Sequence, residues 1–180
     1  MFCLRENIPY MKKLFILFAF TIIGCSTTQN KVINTNNEKT AINTLLDDWH
    51  TAAAQADFDG YFDKIATDGY FIGTDATENW DKKAFSTFAK PYFDKGKAWN
   101  FKALERNIYF SNDGKTAWFD ELLDTWMKVC RGSGVLEKAD GKWKIKHYVL
   151  SMTVPNKVTK EILPLKAKYE DVIIEELKNQ

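Results

Sequence analysis

Arg131-Gly-Ser-Gly-Val-Leu136, followed through Ala139-Asp-Gly-Lys142 by Trp143-Lys-Ile-Lys-His147-Tyr-Val-Leu-Ser151, decides the fold. Apolar and polar residues alternate on either side of an Asp-Gly turn, which reads as two antiparallel strands around a hairpin. The wider segment, residues 117–155, also carries Glu121, Arg131 and His147 among apolar neighbours, as a polar pocket built on a sheet would require. Upstream, residues 98–110 form a further strand candidate, Ser111-Asn-Asp-Gly114 a turn, and residues 116–129 a second long strand. Strands of about ten residues exceed the usual ~5–6, so the sheet has to curve strongly or carry bulges.

Helices precede that sheet. Ile42, Leu45, Leu46, Trp49, Ala52 and Ala53 recur at helical spacing over Asp47, Asp48 and Gln55, which predicts an amphipathic first helix from Thr40. His50, beside Trp49, reads as a surface residue off that stripe. Asp57 is placed to cap a short second helix with Phe58, Tyr61, Phe62 and Ile65 on its buried side, and Gly69-Tyr-Phe-Ile72 reads as a short strand. Asp81 caps a third helix with Ala84, Phe85 and Phe88 on one face, stopped or kinked at Pro91, whose nitrogen cannot donate a hydrogen bond. Past Pro155, the apolar positions Ile162, Tyr169, Val172, Ile173 and Leu177 predict a helical extension over residues 157–180. Helices first and an antiparallel sheet afterwards is an α+β order.

Composition narrows the function classes. The 180 residues are 45% hydrophobic and 14% aromatic, enough for one domain with a core of its own. Lys and Arg total 25 against 24 Asp and Glu, so no net positive field exists to hold a polyanion, and nucleic acid is excluded as a partner. The two histidines sit on separate elements and no Cys or His pair has metal spacing, so neither zinc nor iron is indicated. No glycine-rich loop follows a strand to cradle phosphate, and no cofactor is implied.

The N-terminus is an export signal by its layout. Met11-Lys-Lys precedes Leu14-Phe-Ile-Leu-Phe-Ala-Phe-Thr-Ile-Ile23, a charged region followed by an apolar run well short of the ~20 residues a membrane span needs. Met11 already looks like a complete start. Ile22-Ile-Gly-Cys25 resembles the lipobox of bacterial lipoproteins, which implies that residues 1–24 are removed and Cys25 is lipidated, tying the chain to a membrane. Residues 25–39, rich in Ser, Thr, Asn and Gln, read as a flexible tether. No acidic residue directly follows Cys25, which favours the periplasmic face. Cys130 is then the one cysteine left in the domain, so no internal disulfide can form, and it reads as a small buried hydrophobe rather than a nucleophile.

The element order, with Trp118-Phe-Asp-Glu121, Arg131-Gly-Ser-Gly-Val-Leu136 and Gly141-Lys-Trp-Lys-Ile-Lys-His147, resembles the SnoaL-like branch of the nuclear transport factor 2-like superfamily over residues 40–156. That resemblance implies a cone-shaped α+β barrel, with N-terminal helices on a curved sheet, a pocket inside, and homodimers through the sheet. It identifies activity poorly, because the superfamily hosts isomerases, dehydratases, cyclases and binding domains. Relatives often carry a histidine where this chain has Val149.

Strand alternation puts Trp143, Ile145, His147, Val149 and Ser151 on one face, and Ala117, Phe119, Glu121 and Leu123 on one face of the preceding long strand. Glu121 needs a partner there, and Arg131 is the expected one, either as an anion clamp or as half of a register-fixing ion pair. Trp118, Asp120 and Trp126 fall on the opposite, outer face, suited to a dimer contact. In the loop Gly73-Thr-Asp-Ala-Thr-Glu-Asn-Trp80, Asp75 and Trp80 are placed to line a pocket mouth, although Trp80 equally suits a plug in the core. The ligand-contact candidates are thus Asp75, Trp80, Phe119, Glu121, Arg131 and His147. Three functions compete: a module holding a small, partly apolar and anionic ligand; an acid/base enzyme using Glu121 or Asp75 with His147; and a dimeric scaffold without a ligand.

Overall fold

The computed structural model describes residues 35–179. Three helices, α1 (Thr35–Ala54), α2 (Phe58–Asp63) and α3 (Lys82–Asp94), pack on one face of a sheet formed by β1 (Ile65–Ile72), β2 (Asn79–Asp81), β3 (Lys102–Phe110), β4 (Thr116–Thr125), β5 (Lys128–Ala139) and β6 (Lys142–Met152). The strand order is β2-β1-β6-β5-β4-β3, antiparallel throughout except for the parallel pair β1 and β6. A 3₁₀ turn, Asn156–Val158, leads into α4 (Thr159–Lys178), none of whose residues is buried. The predicted α+β order holds.

Local chemistry explains where elements begin. The Asp57 side chain accepts a hydrogen bond from the Gly60 amide at the start of α2, and Asp81 accepts from Ala84 at the start of α3. Helix α1 starts at Thr35, so the last five residues of the expected 25–39 tether belong to the helix; residues 25–34 lie outside those described, as do Cys25 and the apolar run before it. Pro91 does not stop α3. One lost backbone hydrogen bond near the C-terminal end is outweighed by burying Phe85, Ala89 and Phe93 along a stripe that runs past it.

Two register features redirect side chains. The β4–β5 hairpin turns at Trp126 and Met127, with Thr125 opposite Lys128, so residues 116–129 are not one strand. Lys128 has φ +71°, a left-handed conformation that lysine seldom adopts, and the turn contains no Gly, Asn, Asp or Pro to announce it. In β6, Leu136 pairs with Ile145 but Val135 pairs with His147, so Lys146 is an extra residue. That bulge reverses the alternation: Trp143 and Ile145 point to the core, then Tyr148 and Leu150, while His147 and Val149 move to the outer face.

The core lies between helices and sheet and is dominated by rings. Phe71 stacks on Phe85 at 4.0 Å, Trp49 on Tyr61 at 4.9 Å, and Tyr148 meets Trp49 edge-on at 4.7 Å. Cys130 is fully buried and free, as expected. Gly132 faces the same interior between Glu121 and Tyr148, and a Cβ there would stand 2.3 Å from the Tyr148 hydroxyl and 3.0 Å from the Glu121 Cγ. Gly132→Ala is therefore expected to destabilise the domain by about 1–3 kcal/mol through overpacking, read as a lower urea midpoint. An unchanged midpoint would show that the neighbouring rings can give way.

Candidate functional site

Two features share the helix-covered side of the sheet. The first is a buried polar cluster around Glu121, a residue only 1% exposed. Its Oε1 is 2.9 Å from His50 Nε2 on α1 and accepts a 3.2 Å hydrogen bond from the Tyr148 hydroxyl on β6. Its Oε2 accepts from Arg106 Nε on β3 at 2.9 Å, with Nη2 in ionic contact at 2.8 Å. Arg106 Nη1 continues outward to Asn43 Oδ1 at 3.1 Å and Asp47 Oδ1 at 2.9 Å.

Burial pushes the Glu121 carboxyl up, but the hydrogen bond and charge of His50, followed by Arg106, outweigh it and hold the pKa below the ordinary value. Burial, then the Glu121 charge, pushes the Tyr148 phenol well above its usual range, so it remains a neutral donor. With both oxygens engaged and the carboxylate held ionised, Glu121 is poorly suited to take a proton near neutrality.

The second feature is an aromatic cleft of about 130 Å³. Strands β1 and β6 supply Phe71 and Leu150, while β2 and α3 supply Trp80, Phe85 and Phe88. The segment between α3 and β3 adds Trp99 and Phe101, and Trp126 reaches in from the β4–β5 turn. The β1–β2 loop contributes Gly73, Thr74 and Glu78. Phe101 joins the two features, since it lines the cleft and its ring lies 6.3 Å from that of His50.

The expected residues divide. Glu121 and Phe119 face the interior and Trp80 lines the cleft, stacked on Phe88 at 4.6 Å and Phe85 at 5.7 Å. Arg131 does not meet Glu121: Glu121 pairs with Gly132 and Arg131 with Leu122, which leaves the guanidinium exposed on the outer face. His147 is carried outward by the Lys146 bulge and is no partner for Glu121 either. Asp75 is exposed and spent on its own loop, accepting from the Thr77 amide at 2.9 Å and hydroxyl at 2.6 Å; the hydroxyl bond, then the amide bond, lowers its pKa. Trp126 belongs to the cleft mouth and not to the outer sheet face, where Trp118 does stand, stacked on Tyr109 at 6.0 Å.

Two partners of Glu121 were not anticipated. His50, expected at the surface, is 5% exposed, and its position four residues after Leu46 and eight after Ile42 puts it on the buried stripe of α1. Arg106 shares a face with Ile108, and counting back through the Ser111–Gly114 turn sets it opposite Glu121. Among the described residues no group of three or more His, Cys, Asp or Glu side chains could hold a metal ion.

Comparison with known proteins agrees with this architecture. The family model for the SnoaL-like domain matches residues 42–155. Nothing among curated proteins matches the chain. Among solved structures, a domain of unknown function with a cystatin-like fold from Nostoc punctiforme superposes with a TM-score of 0.61 at 15% identity, covering 80% of this chain and 98% of that one. An NTF2-like protein of unknown function from Pseudomonas putida gives 0.57 at 15% identity, covering 68% and 92%. A protein from Streptomyces avermitilis, provisionally described as a dehydratase of the NTF2-like family, gives 0.59 at 8% identity, covering 67% and 99%. At such identities the likeness carries the fold alone.

Arg106→Met, which leaves the buried Glu121 carboxylate with only His50 and the neutral Tyr148 hydroxyl, is expected to cost about 3–5 kcal/mol in chemical denaturation. Because the folded pKa of Glu121 is depressed, its contribution is fully present above the unfolded carboxylate value and is lost as pH falls through the folded one. The urea midpoint should therefore drop as pH is lowered from about 5 to about 3, and drop less steeply in Glu121→Gln. Equal slopes in the two proteins would mean that Glu121 does not titrate in that range.

Proposed function

The chain belongs to the SnoaL-like domain family, and on that footing we propose that it is a binding module that holds a small, partly apolar molecule in its aromatic cleft. One observation carries the proposal: seven aromatic side chains converge on an open cleft, while the nearby carboxylate is closed off by His50, Tyr148 and Arg106. An acid/base enzyme needs an ionisable group that faces its substrate and can exchange a proton. Of the residues expected in that role, Glu121 is saturated, His147 faces outward and Asp75 is held by Thr77. The dehydratase description of one structural neighbour therefore finds no counterpart in these side chains.

Three of the cleft residues are tryptophans, Trp80, Trp99 and Trp126, so occupancy has an optical signature. Native mass spectrometry of protein purified from its own host is expected to show a retained small molecule. Its release should change tryptophan emission, and Trp80→Ala should weaken rebinding by about tenfold, measured well below the variant's unfolding transition because the ring also stacks on Phe71, Phe85 and Phe88 and its loss lowers stability. A protein that retains nothing, and whose emission no apolar compound alters, would instead be a scaffold.

We further propose that the mature chain is lipidated on Cys25 and held at the periplasmic face of a bacterial membrane, from the lipobox-like Ile22-Ile-Gly-Cys25 and the polar residues after it. Incorporation of labelled palmitate should disappear in Cys25→Ser, with the protein moving to the soluble fraction. A variant that stays labelled and membrane-bound would overturn the anchor. The exposed Tyr109–Trp118 stack supports a homodimer through the outer face of the sheet, which the same mass spectra would report.

A further inference from the structure

The cleft has a sign. Glu78 is the one charged residue among the described residues that line it, and no lysine, arginine or histidine joins it there. Its carboxylate is built into place. A Cβ at residue 73 would stand 2.1 Å from Glu78 Oε2, so the glycine leaves the space that the carboxylate fills. That oxygen accepts a 3.2 Å hydrogen bond from the Asp75 amide, and the loop closes through Gly73 N to Glu78 O at 2.9 Å and Glu78 N to Asp75 O at 3.0 Å. Oε1 has no hydrogen-bond partner among the described residues, and Glu78 makes no ion pair with any of them. Lysines and arginine elsewhere in the domain do find carboxylates, including Lys138 with Glu38 and Arg106 with Asp47. A half-buried carboxylate beside apolar walls has lost part of its hydration and gains most from a cation that needs little hydration itself.

The walls suit such a cation. An aromatic ring presents a negative face, and a cation stripped of its water is attracted to it most strongly when several faces converge. Many rings here spend a face on one another, as Phe71, Phe85 and Trp80 do. Trp126, 80% exposed at the cleft mouth, stacks on no described ring, and Phe101 makes only an edge contact with His50. Trp126 therefore keeps its faces open to a guest, while Phe101, buried to 9% exposure, offers only the part of its ring that lines the cleft. Inorganic cations do not fit the site, since a carboxylate and one threonine offer too few oxygens to replace a hydration shell.

Resting on the reading of this cleft as a binding site, we propose that its ligand carries an organic cation of the quaternary or methylated ammonium class, held among the rings and neutralised by Glu78. The charge is opposite to the one expected from the sequence. Arg131, the anticipated anion clamp, lies on the other side of the sheet, and among the described residues the cleft has no cation to receive an anionic group. A quaternary ammonium can arrive as a free solute or as the headgroup of a choline lipid, and the chemistry of recognition is the same.

The test is calorimetric titration of the full chain, carried in phosphatidylglycerol nanodiscs, with choline chloride, with its neutral carbon isostere 3,3-dimethyl-1-butanol, and with indole. Choline is expected to bind about tenfold or more tightly than the isostere. Glu78→Gln, which keeps an oxygen for the Asp75 amide, should bring the two within about twofold. Trp126→Ala, at an exposed turn position, should weaken choline by about fivefold without changing the melting temperature. Repeating the titration in nanodiscs that include phosphatidylcholine assigns the source: lost choline heat points to the headgroup and unchanged heat to a free solute, each consistent with the ammonium site. If the isostere or indole binds as well as choline, the cationic preference is overturned and the cleft remains an apolar binding site. Silence towards all three probes at millimolar concentration would overturn both readings.

Discussion

A carboxylate buried to 1% exposure has to be compensated, and Glu121 sets the terms for the rest of the domain. Its partners come from α1 through His50, β3 through Arg106 and β6 through Tyr148, while Gly132 on β5 vacates the space that lets the phenol cross to it. Four elements are thereby fixed against β4 at one point. Hydrophobic packing alone tolerates many arrangements of similar volume. A buried charge with four polar contacts does not, because displacing any partner strands the others.

The same arrangement explains why the open chemistry lies elsewhere. Tyr148 donates to Glu121 with its hydroxyl and packs its ring against Trp49 at 4.7 Å and Phe71 at 5.5 Å. Phe71 in turn stacks on Phe85, and both line the cleft. A continuous ring system thus runs from the closed polar cluster to the open aromatic surface, with Phe101 bridging on the other side. Rigidity comes from the cluster and recognition from the cleft.

Much of this was legible in the residues, and the exceptions have local causes. The caps Asp57 and Asp81, the Ser111–Gly114 turn and the inward face of β4 follow from side-chain chemistry and a period of two, and each stands as read. The turn at Trp126 and Met127 was hidden because neither it nor Lys128 has the usual turn chemistry, and moving it moved Arg131 to the opposite face. The Lys146 bulge left an apparently unbroken alternation from Trp143 to Ser151, so His147 was assigned inward. No single-residue pattern reports a bulge, because it is defined by two strands together. His50 and Arg106 were within reach: one lies on the α1 stripe and the other is set by counting from a turn already recognised. Both are polar residues on otherwise apolar faces, which hydrophobic periodicity does not report.

The strand order has one more consequence, for how the domain meets other chains. An open sheet exposes two edges, each a row of unpaired backbone groups on which a foreign strand can grow. Here one edge is β2, only three residues long. The other is β3, where Leu104 interrupts the pairing with β4 as a bulge between Ala103 and Glu105, and Lys102 and Glu105 stand exposed. Brevity at one end and a charged, twisted border at the other discourage strand addition at both. The sheet's borders thus disfavour runaway polymerisation, and its faces and the aromatic cleft are better suited to meeting other molecules.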